Sequence, residues 1–252
     1  MLQIKNMTKS FGGVRAVADV SFNVKKGTVH SVIGPNGAGK TTLFNLITGV
    51  YMPTSGSTFF DGADVTGLAP NKLASRGMSR TFQNLQICMN MSACENVMLG
   101  AHLRLNHGLL AGLAGLGPLL RRDRECRAEA QDLMKFAGVG DYIHAHATEM
   151  SFGALKRLEI ARALATKPKI LLLDEPAAGL NHTETGEISA LIKNIASSGL
   201  TVVLVEHDMK IVMNISDHIT VLNYGTLLAE GSVNDVRSNP AVIQAYLGAA
   251  LN

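Results

Sequence analysis

The segment Gly34-Pro35-Asn36-Gly37-Ala38-Gly39-Lys40-Thr41 constrains this chain more than any other part of it. Gly34 and Gly39 bracket four residues and Lys-Thr follows, which is the P-loop pattern. An apolar run, Val29-His30-Ser31-Val32-Ile33, precedes it, and a helix-forming stretch from Thr41 to Ile47 follows. Strand, loop and helix in that order are the context the pattern requires. Glycines let successive N–H groups turn inward as an anion nest, and the next helix points its positive end at the same spot. Lys40 adds a full charge toward the outer phosphates, and Thr41 offers a hydroxyl to Mg²⁺. The stretch Gly34 to Thr42 is therefore the expected binding site of a nucleoside triphosphate.

A chain of 252 residues and 26.8 kDa is long enough for one large α/β domain or one domain with a sub-domain. Hydrophobic residues make up 46%, enough for a sizeable core, whereas charged residues are 17%, a low share that points to surface covered by a partner. A net charge of +3 gives no argument for nucleic acid. Cys88, Cys94 and Cys126 show no metal spacing and are expected to be reduced thiols in a cytosolic protein. Met1-Leu2-Gln3-Ile4-Lys5 does not read as a signal peptide. The stretch Leu105 to Leu120 is uncharged but interrupted by glycines and Pro118, and it falls short of the ~18–20 residues that cross a bilayer. Membrane association is expected to come through other subunits.

Strands are expected at Leu2–Met7, Val17–Val24, Val29–Ile33 and Ser57–Phe60. From about Asn90 to Thr148 the sequence turns rich in helix formers, with a helical pattern over Asp123–Phe136. α/β alternation then returns: helix over Ser151–Thr166, strand Ile170–Asp174, helix Thr183–Ser197, strand Thr201–Val205. Ile170-Leu171-Leu172-Leu173 and Val202-Val203-Leu204-Val205 are apolar on both faces, as central parallel strands are. Asn223-Tyr224-Gly225 predicts a hairpin turn, and Ala241–Leu247 a final helix.

The apolar strand Ile170–Leu173 ends in Asp174-Glu175. Ligands of open α/β sheets sit beyond the carboxyl ends of strands, so Asp174 is placed to help hold Mg²⁺ near the P-loop. Glu175, one residue on, is the natural group to orient or deprotonate an attacking water. Its effect would come from geometry, since positioning dominates phosphoryl transfer.

Met150-Ser151-Phe152-Gly153-Ala154, followed by Leu155-Lys156-Arg157-Leu158-Glu159, resembles the signature segment and helix of ABC-type ATPases. The family pattern is Leu-Ser-Gly-Gly-Gln. Ser151 and Gly153 match it; Met150, Phe152 and Ala154 depart, and Ala154 removes a polar side chain. Gln83 in Thr81-Phe82-Gln83-Asn84 resembles the family's glutamine loop, which also reaches the metal. His207 after Val205-Glu206 resembles the switch histidine at the terminal phosphate. Ala178-Gly179-Leu180-Asn181 resembles the loop that crosses to the partner, with Asn for the usual Asp. Phe11 resembles the aromatic that stacks on adenine.

The resemblance runs from Leu2 to Leu247. It implies a single ABC ATPase domain over residues 1–252, a P-loop cassette with a mixed, largely parallel core sheet and an N-terminal antiparallel β sub-domain. About 1–89 and 149–252 would form the nucleotide-binding core and about 90–148 a helical sub-domain. The implied cofactors are ATP and Mg²⁺, with Thr41, Gln83 and Asp174 on the metal and Glu175, His207 and Gln83 catalytic. It further implies that Ser151, Phe152, Gly153 and Ala154 act on the ATP of a second cassette, identical or paralogous. The implied setting is the cytoplasmic face of the membrane, peripheral through integral-membrane permease subunits and indirectly served by a solute-binding protein, with no nucleic acid. Arg80-Thr81-Phe82-Gln83-Asn84, Glu95-Asn96-Val97-Met98-Leu99-Gly100 and Asn239-Pro240-Ala241-Val242 are most similar to importer ATPases for branched-chain amino acids. An ABC transporter of another cargo and a soluble ABC ATPase acting on nucleic acid or ribosomes stay as alternatives. A P-loop kinase is a further rival, but it has no use for Ser151-Phe152-Gly153 or His207. The stretch Leu105–Leu120 is expected to be an excursion of the helical sub-domain, or else a surface that docks on the membrane subunits.

Overall fold

Three stretches of sequence are buried on both faces, and the fold is organised around them. Strand β3 (Val29–Ile33), β7 (Ile170–Asp174) and β8 (Thr201–Val205) carry no exposed residue. They lie side by side in a computed structural model that describes residues 1–102, 104 and 116–249. The described chain separates into two compact units, Met1–Arg80 with Ile170–Glu175 and Ile192–Asn252, and Thr81–Lys169 with Pro176–Leu191.

The first unit holds two sheets. One is four-stranded and antiparallel, from β1 (Leu2–Phe11), β2 (Val14–Val24), β4 (Ser55–Phe60) and β5 (Ala63–Asp64) in the order β2-β1-β4-β5. The other is six-stranded, in the order β10-β9-β3-β8-β7-β6. It adds β6 (Met78–Arg80), β9 (His218–Asn223) and β10 (Thr226–Gly231). Its pairs are parallel except β9 with β10. The mixed, largely parallel core sheet and the antiparallel N-terminal sheet agree with the expectation from sequence.

Helix α1 (Lys40–Ile47) presses Leu43, Phe44, Leu46 and Ile47 into a core shared with Val32, Leu172, Val203 and Val205 of the parallel strands and Ile4, Val20 and Phe60 of the antiparallel sheet. Leu172 and Val203 are fully buried, as residues of parallel strands covered on both faces are. The β9–β10 turn places Tyr224 and Gly225 at φ 44 and 78. Two positive φ values in a two-residue loop give the primed turn that suits the twist of a hairpin.

Elsewhere the structure differs from the reading by length. β1 continues to Phe11 through three irregularities of register, which break the alternation that a sequence pattern relies on. β6 has three residues, too few to show a period. Helix α2 (Pro70–Ser75) opens on proline at its first position, as such helices do.

The second unit contains α3 (Ala93–Gly100), α4 (Leu116–Phe136) and α5 (Phe152–Leu164). Ser92 and Glu95 cap α3 reciprocally. Its core includes Cys94, Val97, Ala130, Met134, Leu158 and Ala161. Gly100 lies so close to α5 that a Cβ would fall 2.0 Å from the Arg162 carbonyl oxygen. All three cysteines are free thiols. Of the stretch Leu105–Leu120, where the excursion or docking surface is expected, residues 105–115 lie outside the described residues. Helix α6 (His182–Ser197), α7 (Met209–Ile215), α8 (Val233–Arg237) and α9 (Pro240–Ala249) complete the chain. Among the described residues no helix is long and apolar enough to cross a membrane.

Candidate nucleotide site

The loop between β3 and α1 is shaped by its glycines. Gly34 has φ 154, and a Cβ there would lie 2.2 Å from the Leu222 carbonyl oxygen. Gly39 has φ 97, and a Cβ would lie 2.5 Å from the Ala16 carbonyl oxygen. Any other residue at either position would push the loop off its strands. Gly39 also serves as the N-cap of α1, and no side chain caps that end. The first N–H groups of α1 are thus left for an anion.

Lys40 is 7% exposed, and its ammonium donates to the carbonyls of Gly34 (2.7 Å) and Pro35 (2.9 Å). Burial lowers its pKa, with the Glu175 carboxylate pulling the other way. A cavity of about 480 Å³ opens over this loop. It is lined by residues 14–16 and 36–42 with Glu175, Tyr224 and Gly225. The volume lies in the range that holds small ligands.

The carboxyl ends of neighbouring parallel strands bring in the remaining groups. β7 and β8 are in register with Asp174 opposite Val205, so the residues after each strand emerge together. Glu175 takes φ 48, a left-handed conformation unusual outside glycine, and its N–H donates to the Val205 carbonyl (2.9 Å). Such strain at a strand end is stored where the surrounding fold holds it. Nδ1 of His207 lies 4.0 Å from Glu175 Oε1 and 3.8 Å from Oε2 of the buried Glu206. The His207 side chain is 57% exposed, which leaves it reachable by a ligand. Asp174 is 3% exposed, and its Oδ2 accepts a charged hydrogen bond from Arg80 Nη2 at 2.9 Å.

The oxygen donors here, the Thr41 hydroxyl on the cavity wall and the Asp174 carboxylate at the strand end, suit Mg²⁺. That ion takes one or two protein carboxylates, keeps its waters, and uses substrate phosphates for the rest. Among the described residues no cluster of three or more His, Cys, Asp or Glu could hold a metal by itself. The site fits an ion that arrives with a phosphate ligand.

Of the residues singled out in the sequence, Asn36 through Thr42 and Glu175 line the cavity, while Gly34 and Pro35 receive Lys40. His207 and Asp174 stand beside Glu175. Phe11 is not among the lining residues; its half-exposed ring meets Tyr51 edge-on at 5.4 Å and carries the Lys9 ammonium at 5.0 Å.

Gln83 and the segment 151–154 belong to the second unit. Gln83 is exposed, and its carbonyl accepts from Lys156 Nζ at 3.3 Å. Ser151 is the exposed N-cap of α5 and accepts the Ala154 N–H at 3.3 Å. Phe152 is half-exposed with Lys156 over its ring at 5.7 Å. A Cβ on Gly153 would lie 2.5 Å from a Glu184 carboxylate oxygen, and Ala154 is 1% exposed. Asn181 and Glu184 cap the start of α6 reciprocally, so Asn181 does structural work without a charge.

Sequence reasoning missed Arg15, Ala16 and Tyr224 as cavity walls and Arg80 as the partner of Asp174. Arg80 stood inside a quoted stretch, three residues before Gln83, yet nothing local tied it to Asp174.

The ABC transporter family model matches residues 17–178, and the model for the branched-chain amino acid ATP-binding cassette transporter matches residues 226–251. The chain is 45% identical over 251 residues to the high-affinity branched-chain amino acid transport ATP-binding protein BraF of Pseudomonas aeruginosa, covering 99% of this chain and 98% of that protein. An ATP-binding cassette of an ABC transporter solved in its ADP conformation superposes with a TM-score of 0.86 at 33% identity, over 98% of both chains. A dimeric ATP-binding cassette in a post-hydrolysis state, bound to ADP and Pi, gives 0.77 at 28% identity over 92% of this chain and 99% of that one.

Proposed function

The chain belongs to the ATP-binding subunits of ABC transporters, and from that footing we propose that it powers an importer of branched-chain amino acids. It is an ATPase, converting ATP and water to ADP and phosphate to drive transport. The observation that carries the site reading is the convergence of the Lys40 loop, Glu175 and His207 at the carboxyl ends of adjacent parallel strands. The cargo reading is supported by BraF, whose likeness extends over nearly the whole of both chains.

The triphosphate is bound by the loop N–H groups and the uncapped start of α1. Lys40 exchanges the neutral carbonyl acceptors of Gly34 and Pro35 for anionic phosphate oxygens, so that both partners of the bond are charged. Thr41 and Asp174 would hold Mg²⁺, with Gln83 as a further ligand, and the ion when bound neutralises charge on the outer phosphates. Glu175 orients the attacking water and takes its proton. His207 donates to the terminal phosphate and reports its loss. Ser151, with Phe152, Gly153 and Ala154, closes over the ATP of a second cassette. The dimeric cassette bound to ADP and Pi supports that arrangement. Permease subunits hold the cassette at the cytoplasmic face and turn dimer opening into alternating access, with a solute-binding protein delivering cargo from the other side.

Co-purification and uptake test the proposal together. Integral-membrane partners should co-purify with the tagged chain. Deleting its gene should abolish high-affinity uptake of radiolabelled leucine, isoleucine and valine, and Lys40→Ala should fail to restore it. Unchanged uptake of all three would overturn the cargo, and a nucleic-acid partner in place of membrane proteins would overturn the transporter.

A further inference from the structure

Arg80 bridges the end of β7 and helix α1. Its Nη2 donates to Asp174 Oδ2 at 2.9 Å. Its Nη1 donates to Asn45 Oδ1 at 2.8 Å and to Thr48 Oγ1 at 2.6 Å, and its Cζ lies 5.2 Å from the centre of the Phe44 ring. Asn45 and Phe44 lie in α1, and Thr48 is its C-cap. Lys40 and Thr41 open the same helix.

A carboxylate held out of water needs a hydrogen-bonded partner of opposite charge. Arg80 meets that need for Asp174, but a lysine would meet it equally well for charge alone. What the guanidinium adds is a rigid planar fork with donors on both arms. One arm fixes the carboxylate at the end of β7 and the other grips α1. Since a helix is a stiff rod, fixing Asp174 to one end of α1 also fixes it relative to Thr41 at the other. These are the two groups assigned to the metal.

We infer that Arg80 is a positioning residue for Mg²⁺: it holds the Asp174 carboxylate in register with the helix that carries Lys40 and Thr41. The inference rests on the reading of Asp174 as a metal-side carboxylate. Arg80 is not a catalytic residue, because it acts through Asp174.

Binding measurements test it, in a Glu175→Gln background where ATP is not consumed. ATP affinity is measured by calorimetry in EDTA and across a Mg²⁺ titration. Arg80→Lys should leave the EDTA affinity within about twofold and raise the Mg²⁺ concentration for half-maximal tightening by about 10–100-fold, the range seen when partners of metal ligands are removed. An unchanged Mg²⁺ half-point, whatever happens to the melting temperature, makes Arg80 a structural residue and overturns the inference. If Arg80→Lys does not fold, Asn45→Ala decides: it removes one anchor of the fork and should shift the half-point the same way by a smaller factor, and no shift overturns the proposal. Asp174→Asn separates the two layers. If it leaves the Mg²⁺ dependence intact, the assignment of Asp174 fails. If it abolishes that dependence while Arg80→Lys and Asn45→Ala do not alter it, the role of Arg80 alone fails.

Discussion

α1 and α5 each begin at a residue expected to meet a phosphate, yet the two ends are built by opposite means. α1 starts after Gly39, in a left-handed conformation, with no side-chain cap and no acid in its first turn. Its N–H groups are left to a ligand, and the buried Lys40, the first residue of the helix, supplies charge at the same end. α5 starts after Ser151, whose hydroxyl already accepts the Ala154 N–H. This second end has one of its N–H groups satisfied without a ligand and carries no charged side chain among Phe152, Gly153 and Ala154. On the proposed function, the first end grips a triphosphate, whereas the second, capped on its own, would lend its hydroxyl to the ATP of another cassette. The 3.3 Å length of the Ser151 bond makes that exchange inexpensive, because long hydrogen bonds are weak.

The largest effect expected lies beside the first end. Glu175→Gln should cut the turnover number by about 10²–10⁴, the usual contribution of a general base, while ATP binding persists and two cassettes elute together in ATP. Turnover near that of the parent would remove Glu175 from its role. Lys40→Ala should weaken a fluorescent ATP analogue by about 10–100-fold, since one charge-assisted contact is lost. Equal affinity would mean that the first end does not grip by charge, and the contrast with α5 would collapse.

Ser151→Asp sharpens the comparison from the other side. Aspartate caps a helix about as well as serine, so thermal stability should hold to within about 0.5 kcal/mol. The added charge would face the partner's phosphates, and like charges across an interface cost several kcal/mol, so turnover should fall by at least about tenfold. Intact turnover in that variant would leave Ser151 as a cap and nothing more. A mixture of Ser151→Arg and Lys40→Ala subunits should regain part of the activity, because one composite site stays whole.

A last test involves neither end and serves as a baseline. His30 is buried in β3, donates to or accepts from Thr220 at 2.8 Å, and has its pKa lowered to about 3 by burial and by His218. The unfolded chain takes up this proton near pH 6.5 and the folded chain does not until about pH 3. His30 thus contributes a loss of stability as pH falls through that window, about 1.4 kcal/mol per pH unit. Urea melts of His30→Asn should show a shallower decline between pH 6 and about pH 4, and an unchanged slope would refute the assignment.

What could be read from the chain was what local chemistry fixes. The β3–loop–α1 element was legible because two glycines, a lysine and an apolar strand lie within a dozen neighbouring residues. β7 and β8 were legible with their ends because strands buried on both faces carry unbroken apolar runs. The Arg80 bridge was not, since β6 is three residues long and its partner lies in β7, far along the chain. Tyr224 read as a turn residue and nothing else, because a hairpin signal says what the backbone does and not what it faces.

The sequence by itself determined the ligand class, the acids at the strand end and a helix beginning near Ser151, because each is a property of contiguous residues. The tertiary structure alone decided that Glu175 and His207 stand 4.0 Å apart and that Asp174 is tied to α1 through Arg80. Those distances come from the order and register of parallel strands. That register follows from how whole faces pack, which no local pattern encodes.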